Sequence, residues 1–162
     1  MAYEIFLWIH TFSYIIWLAA FVASLFYYKA ITGANGMPRE KSLVQSERKI
    51  SSMGAHIAVL GILISGGAMV SMPSGPQWGW FPFSHYPWLA IMQVIFVIIL
   101  IIVFGISMPA GIKLKKLFRA APEETVTDEQ RGQWKKAWNI SLIVYLLVVV
   151  NTVIGWWFDP RF

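Results

Sequence analysis

The sequence predicts an all-α protein, an antiparallel four-helix bundle integral to a membrane. Three observations carry that prediction. Hydrophobic residues make up 57% of the 162 residues and charged residues only 13%, about half the charge of an ordinary soluble domain. Four stretches are each long and apolar enough to cross a hydrocarbon core of ~30 Å, which takes about 20 residues. Finally, the basic residues are confined almost entirely to two of the segments between those stretches.

The spans are residues 5–28, 50–72, 88–112 and 137–158, and none holds an Asp, Glu, Lys or Arg. They occupy more than half of the chain, so residues 1–162 form a single transmembrane domain. Lipid cannot hydrogen-bond a backbone, so the spans must be helices. Gly33, Asn35, Gly36 and Pro38 interrupt the chain after the first span, and Pro73, Gly75, Pro76 and Pro82 after the second. Pro109 and Gly111 are expected to loosen the end of the third span. Thr127 followed by Gln130 reads as a capping box, which would start the fourth helix about two turns before the membrane.

Five Lys and Arg lie from Lys29 to Lys49 and seven from Lys113 to Lys136, with only Arg161 elsewhere. The positive-inside rule then predicts a multi-pass protein of a bacterial or archaeal inner membrane. Both basic segments, 29–49 and 113–136, would be cytoplasmic and both termini outside. The same distribution accounts for the net charge of +5 without nucleic acid as a partner; the lipid bilayer is the partner expected. The first span does not read as a cleavable signal peptide, because its flanking charge is on the wrong end. The chain has no cysteine, which excludes disulfides, iron–sulfur clusters and thiolate metal sites.

Polar residues inside a span are the candidates for chemistry. They are His10 and Ser13, Ser52 and His56, Gln93, and Asn151 with Thr152. No span contains a carboxylate, which argues against a proton-coupled exporter, and no catalytic triad or phosphate loop is present. His10, Tyr14, Trp17 and Phe21 share one helix face. An imidazole on an aromatic face inside a bundle suits an axial haem ligand, although it also suits a plain interhelical hydrogen bond. His56 enters the membrane from the other side, about 13 Å from His10 along the normal. Two sites, or one site and one structural histidine, therefore stay open. Met69 and Gln93 fall near the level of His10, and Met108 near that of His56. His85 in the outer loop is a further possible ligand for His10. Gly54 and Gly61, seven apart, make a small-residue stripe that lets helices pack closely or leaves room for a flat cofactor. Trp78, Trp80, Phe81, Phe83, Tyr86, Trp88, Trp156, Trp157 and Phe158 crowd the outer side, as an interfacial aromatic belt or as a lid over a site.

Trp8-Ile9-His10, Trp17-Leu18-Ala19 and Leu25-Phe26-Tyr27-Tyr28 resemble the first helix of the HemJ and CopD-like group of small membrane proteins. Glu47-Arg48-Lys49-Ile50 with Met53, Pro87-Trp88-Leu89 and Asp159-Pro160-Arg161-Phe162 extend the similarity over the other three spans. The resemblance implies a four-span haem b protein in which His10 corresponds to the first-helix histidine. The group's third-helix lysine has no counterpart, Gln93 being nearest, which points away from protoporphyrinogen oxidation.

The expected function is therefore a b-type cytochrome-like protein that binds haem b and exchanges electrons with a quinone or a porphyrin-type partner. His10 ranks first as ligand and His56 second. Tyr14 and Trp17 would line the pocket, and Gln93 or Asn151 would bond a propionate or a quinone carbonyl. The alternatives are a copper-handling protein using His10, His56, His85 and Met69, or an accessory subunit that docks a membrane partner or another copy of itself.

Overall fold

A computed structural model describes residues 1–73, 78–120 and 125–158. Four helices are long and apolar enough to cross a membrane, and no strand occurs among the described residues. The first crossing is α1 (Ala2–Gly33) and the second α2 (Arg39–Ser71). The third is built from α3 (Pro87–Ile102), a π-helical turn (Val103–Ser107) and α4 (Met108–Ala120). The fourth is α5 (Asp128–Phe158). The chain is an integral membrane protein of the antiparallel four-helix kind.

Among the described residues, most of the basic segments is helix rather than loop. Only residues 34–38 separate α1 from α2, where Gly36 takes the left-handed conformation at φ 76° and donates its N–H to Glu40. The capping box is formed as expected. Thr127 Oγ1 accepts from the Gln130 N–H at 3.2 Å, and Gln130 Oε1 accepts from the Thr127 N–H at 3.0 Å. Satisfying those donors lets α5 begin nine residues before its apolar stretch. Pro109 and Gly111 do not end the third crossing. Proline lacks the N–H that would close a normal turn, and the helix widens just before it, with the Met108 N–H bonded to the Val103 carbonyl. It then continues to Ala120. Gly75, Pro76 and residues 159–162 lie outside the described residues.

Two seams hold the bundle together, α1 along α2 and the third crossing along α5, and α5 also meets α1. The first seam is made of small residues. A Cβ on Gly54 would stand 2.6 Å from the Cβ of Ala20, and one on Gly61 would collide with Ser13. The two pairs have the same seven-residue spacing in antiparallel order, so the helices touch backbone to backbone. Trp17, Val59, Ile62, Ile99, Val103, Val144 and Val148 fill the middle. At the basic end, Ile31, Val44, Leu114 and Trp134 form a second cluster, with Tyr28 stacked on Trp134 and Trp138.

Candidate functional site, a cleft at the basic end

Pairing α1 with α2 and the third crossing with α5 leaves α2 and α4 without a close seam. A cleft of about 650 Å³ opens there, within the range of ligand sites, about 300–1,000 Å³. Its interior includes Trp17, Val103, Val144 and Tyr145, and Arg48, Lys49, Lys115 and Arg119 line it as well. The four cations come from α2 and α4 near the basic end, whereas the apolar residues belong to the middle of the bundle. The cleft is thus apolar at depth and cationic toward the helix ends. Ser107 and Met108, at the end of the π-helical turn, complete the α4 side. Such turns recur at functional sites because the extra residue re-aims the side chains that follow.

His56 stands in the cleft wall. Its Nδ1 lies 2.6 Å from the carbonyl oxygen of Ser52. A carbonyl only accepts, so Nδ1 carries the proton and Nε2 keeps its lone pair. Phe104 meets the ring edge-on at 6.4 Å. Trp17, buried to 1% exposure, holds an indole N–H with no acceptor among the described residues.

His10 is placed differently. It packs in the α1–α2 seam, with its Nδ1 2.9 Å from Ser65 Oγ. Ser65 donates its own proton to the Gly61 carbonyl, so His10 Nδ1–H is the donor to Ser65. A Cβ on Gly66 would lie 3.3 Å from the His10 ring. Tyr14 meets that ring edge-on at 5.1 Å and accepts a hydrogen bond at 3.1 Å from Asn151 Nδ2. Asn151 Oδ1 is buried without a partner among the described residues. The expected face of His10, Tyr14, Trp17 and Phe21 is realised: the first two touch, and the others join the central core. Ser65 is nine residues beyond His56, so the two histidines are about 13 Å apart along α2. They cannot share one metal ion.

The remaining candidates are scattered. Gln93 uses both ends of its amide on the aromatic loop: Oε1 accepts from the Phe81 N–H and Nε2 donates to the Gly79 carbonyl. It thereby pins a turn in which Gly79 and Phe81 both have positive φ. His85 is exposed and bonded to its neighbour Ser84. Met69 is buried one turn beyond Ser65 on α2. No group of three or more His, Cys, Asp or Glu occurs among the described residues.

Several residues of the cleft and its surroundings are not evident from the sequence, Tyr145, Ser51 and Glu47 among them. Glu47 sits three positions before the second span and reads there as part of a basic loop, yet it is fully buried. Ser24 and Ser51 donate to its Oε1 at 2.9 and 2.8 Å, and Trp134 Nε1 donates to its Oε2 at 3.2 Å. The signal was present in Ser24 and Ser51, hydroxyl residues near the basic ends of neighbouring spans. Closer to the helix ends, Arg131 clasps Glu40 through Nε and Nη2 at 2.8 and 3.0 Å. Burial pushes the Glu40 carboxyl up. The hydrogen bonds from Arg131 and the Gly36 N–H, with the charge of Arg131, outweigh it and hold the group below the usual carboxylate range.

The fold and cleft define a class, a four-span integral membrane protein with a ligand-sized, cation-lined opening at one end. Comparison with protein-family models, curated proteins and solved structures finds no match to this chain.

Proposed function

We propose that the protein binds haem b in the cleft and exchanges electrons with a lipid-soluble partner such as a quinol. The observation that supports this reading is the position of His56. Its Nε2 lone pair is free for a metal, its Nδ1–H is tied to a carbonyl as in most metal-binding histidines, and it lines an apolar cleft that also carries four cations. The residues fit the group. Haem b has a flat apolar body, suited to Trp17, Val103, Val144 and Tyr145. It also has two carboxylates, suited to Arg48, Lys49, Lys115 and Arg119. The buried Trp17 N–H adds a donor in need of an acceptor. Met108 lines the same cleft and is a second soft donor; a His/Met pair raises an iron potential. When bound, haem supplies one-electron chemistry. The protein's part is to hold and orient the group, exclude water and set the charge around it.

In this reading His56 replaces His10 as the first choice of ligand. His10 does not line the cleft, and Gly66 crowds its ring in the seam. Protoporphyrinogen oxidation is not part of the proposal, because Gln93, at the position nearest the third-helix lysine of the HemJ and CopD-like group, is committed to the aromatic loop. We place the basic end in the cytoplasm of an inner-membrane protein by the positive-inside rule, so that the cleft opens toward the cytoplasmic leaflet.

The test is haem-supplemented expression and purification of the full chain. A stoichiometric Soret band that Met108→Leu shifts and His56→Ala removes is the expected result; a wild-type protein without the band contradicts the proposal. The chain has no native cysteine, so labelling of Lys116→Cys in intact cells reports orientation directly. Protection from an impermeant reagent is expected, and ready labelling would reverse the topology.

A further inference from the structure

The wall of the cleft is connected to a carboxylate that lies behind it. Tyr145 and Ser51 line the cleft, whereas Glu47 does not. The Tyr145 hydroxyl donates to Ser51 Oγ at 3.3 Å, and Ser51 donates in turn to Glu47 Oε1 at 2.8 Å. Both O–H bonds point the same way, from the cleft toward the carboxylate. Such a directed chain is more than packing requires, since Ser24 and Trp134 already bond to Glu47 from α1 and α5.

We infer that Glu47 is the proton acceptor of the cleft, loaded through Tyr145 and Ser51. A solvent proton reaches the Tyr145 oxygen, the tyrosine's own proton passes to Ser51 Oγ, and the serine's proton passes to Glu47 Oε1. One O–H bond breaks and one forms at each hydroxyl, so both are restored. The net change is one proton taken up and one carboxylate made neutral, and no electron moves along the chain. The driving force is charge. Facing Glu47 are the Arg48 guanidinium, 4.0 Å from Oε2, on its own helix, Ser24 on α1 and Trp134 on α5. Lys49, Lys115 and Arg119 are the other charges on the cleft. With haem bound, reduction would add a negative charge beside these cations, and a proton on Glu47 would offset it. Reoxidation would return the proton by the same path. This inference rests on the haem reading above.

The experiment is a redox titration of the haem-loaded full-length protein at a series of pH values. It compares wild type, Glu47→Gln and Tyr145→Phe. Wild type is expected to lose potential as pH rises, approaching one proton per electron, a tenfold change in equilibrium constant per pH unit or about 59 mV for a one-electron couple. Glu47→Gln should give a nearly flat line over the same range. The slope is set by the group that holds the proton and not by its route, so Tyr145→Phe should keep the slope and instead slow proton uptake after rapid reduction, read with a pH-indicator dye. A merely structural Glu47 would leave the Glu47→Gln slope like that of wild type. A sloping Glu47→Gln line, a flat wild-type line, or unslowed uptake in Tyr145→Phe overturns the inference. If Glu47→Gln does not fold, the wild-type slope and the uptake rate of Tyr145→Phe decide. A wild type without a haem spectrum defeats the function reading and this inference together, whereas a haem spectrum with a pH-independent potential defeats only the inference.

Discussion

The two long faces of α2 meet opposite fates. Toward α1, glycines at 54 and 61 bring the backbones into contact and close the seam around Ser13, Ala20 and His10. Toward α4, no such seam forms, and side chains with cations and a histidine border an open cleft. Each face borders an imidazole with its Nδ1 tied, that of His10 on α1 to Ser65 and that of His56 on α2 itself to the Ser52 carbonyl. The surroundings therefore decide what each ring can do. Glycines in contact with α1 turn one face into packing, and the lack of a close seam with α4 leaves the other face open.

The largest effect is expected at the basic end, where Arg131 on α5 clasps Glu40 on α2. Arg131→Ala would strand Glu40, 1% exposed, as an unpaired buried carboxylate. Breaking such a pair costs about 3–5 kcal/mol, readable as a loss of unfolding free energy in detergent. Arg131→Lys should recover only part of it, because a lysine cannot make the two-pronged contact. Next comes the closed side. Gly61→Ala forces a methyl into Ser13 and should cost about 1–3 kcal/mol by overpacking. Gly105→Ala, where a Cβ meets nothing within 4 Å, should be silent or slightly stabilising. Equal effects at both glycines would contradict close contact with Ser13 as the cause. Thr127→Ala removes half of the capping box and should cost about 1 kcal/mol, frayed at the start of α5 rather than in the seam.

A pH titration sharpens the contrast. The Glu40 carboxyl is held below its ordinary value in the folded protein. Its stabilisation is therefore complete above the unfolded value and is lost as pH falls through the depressed folded one. Acid should loosen the basic end first, seen as early hydrogen exchange at residues 36–44 while the α1–α2 seam stays protected. In Glu40→Gln that acid step should shrink.

Much of the fold was legible because membrane insertion imposes length, apolarity and charge placement on each span separately. The glycine stripe and the capping box were legible for a similar reason, since both are local patterns with one geometric outcome. The bounds of the helices were not. Arg39–Lys49 and Lys113–Ala120 are polar and read as loop, yet they continue as helix because buried partners such as Val44 and Leu114 hold them at the basic end. Pro109 read as a loosening at the end of the third span, and a sequence does not show that a single wider turn absorbs it while the helix runs on to Ala120. The site was legible in its residue types but not in its groupings. His10 with Tyr14 followed from one helix face. Which of α2's faces would close depended on contacts between helices distant in sequence. Glu47 was hidden because a carboxylate just outside a span looks solvated until Ser24, Ser51 and Trp134 are seen around it.

The measurement that bears most directly on the account is a reduced-minus-oxidised absorption spectrum of wild type, His56→Ala and His10→Ala, each purified after haem-supplemented expression. The account predicts a b-type difference spectrum in wild type, its persistence in His10→Ala with a lower melting temperature, and its loss in His56→Ala. The reverse pattern, with the signal kept without His56 and lost without His10, would contradict it.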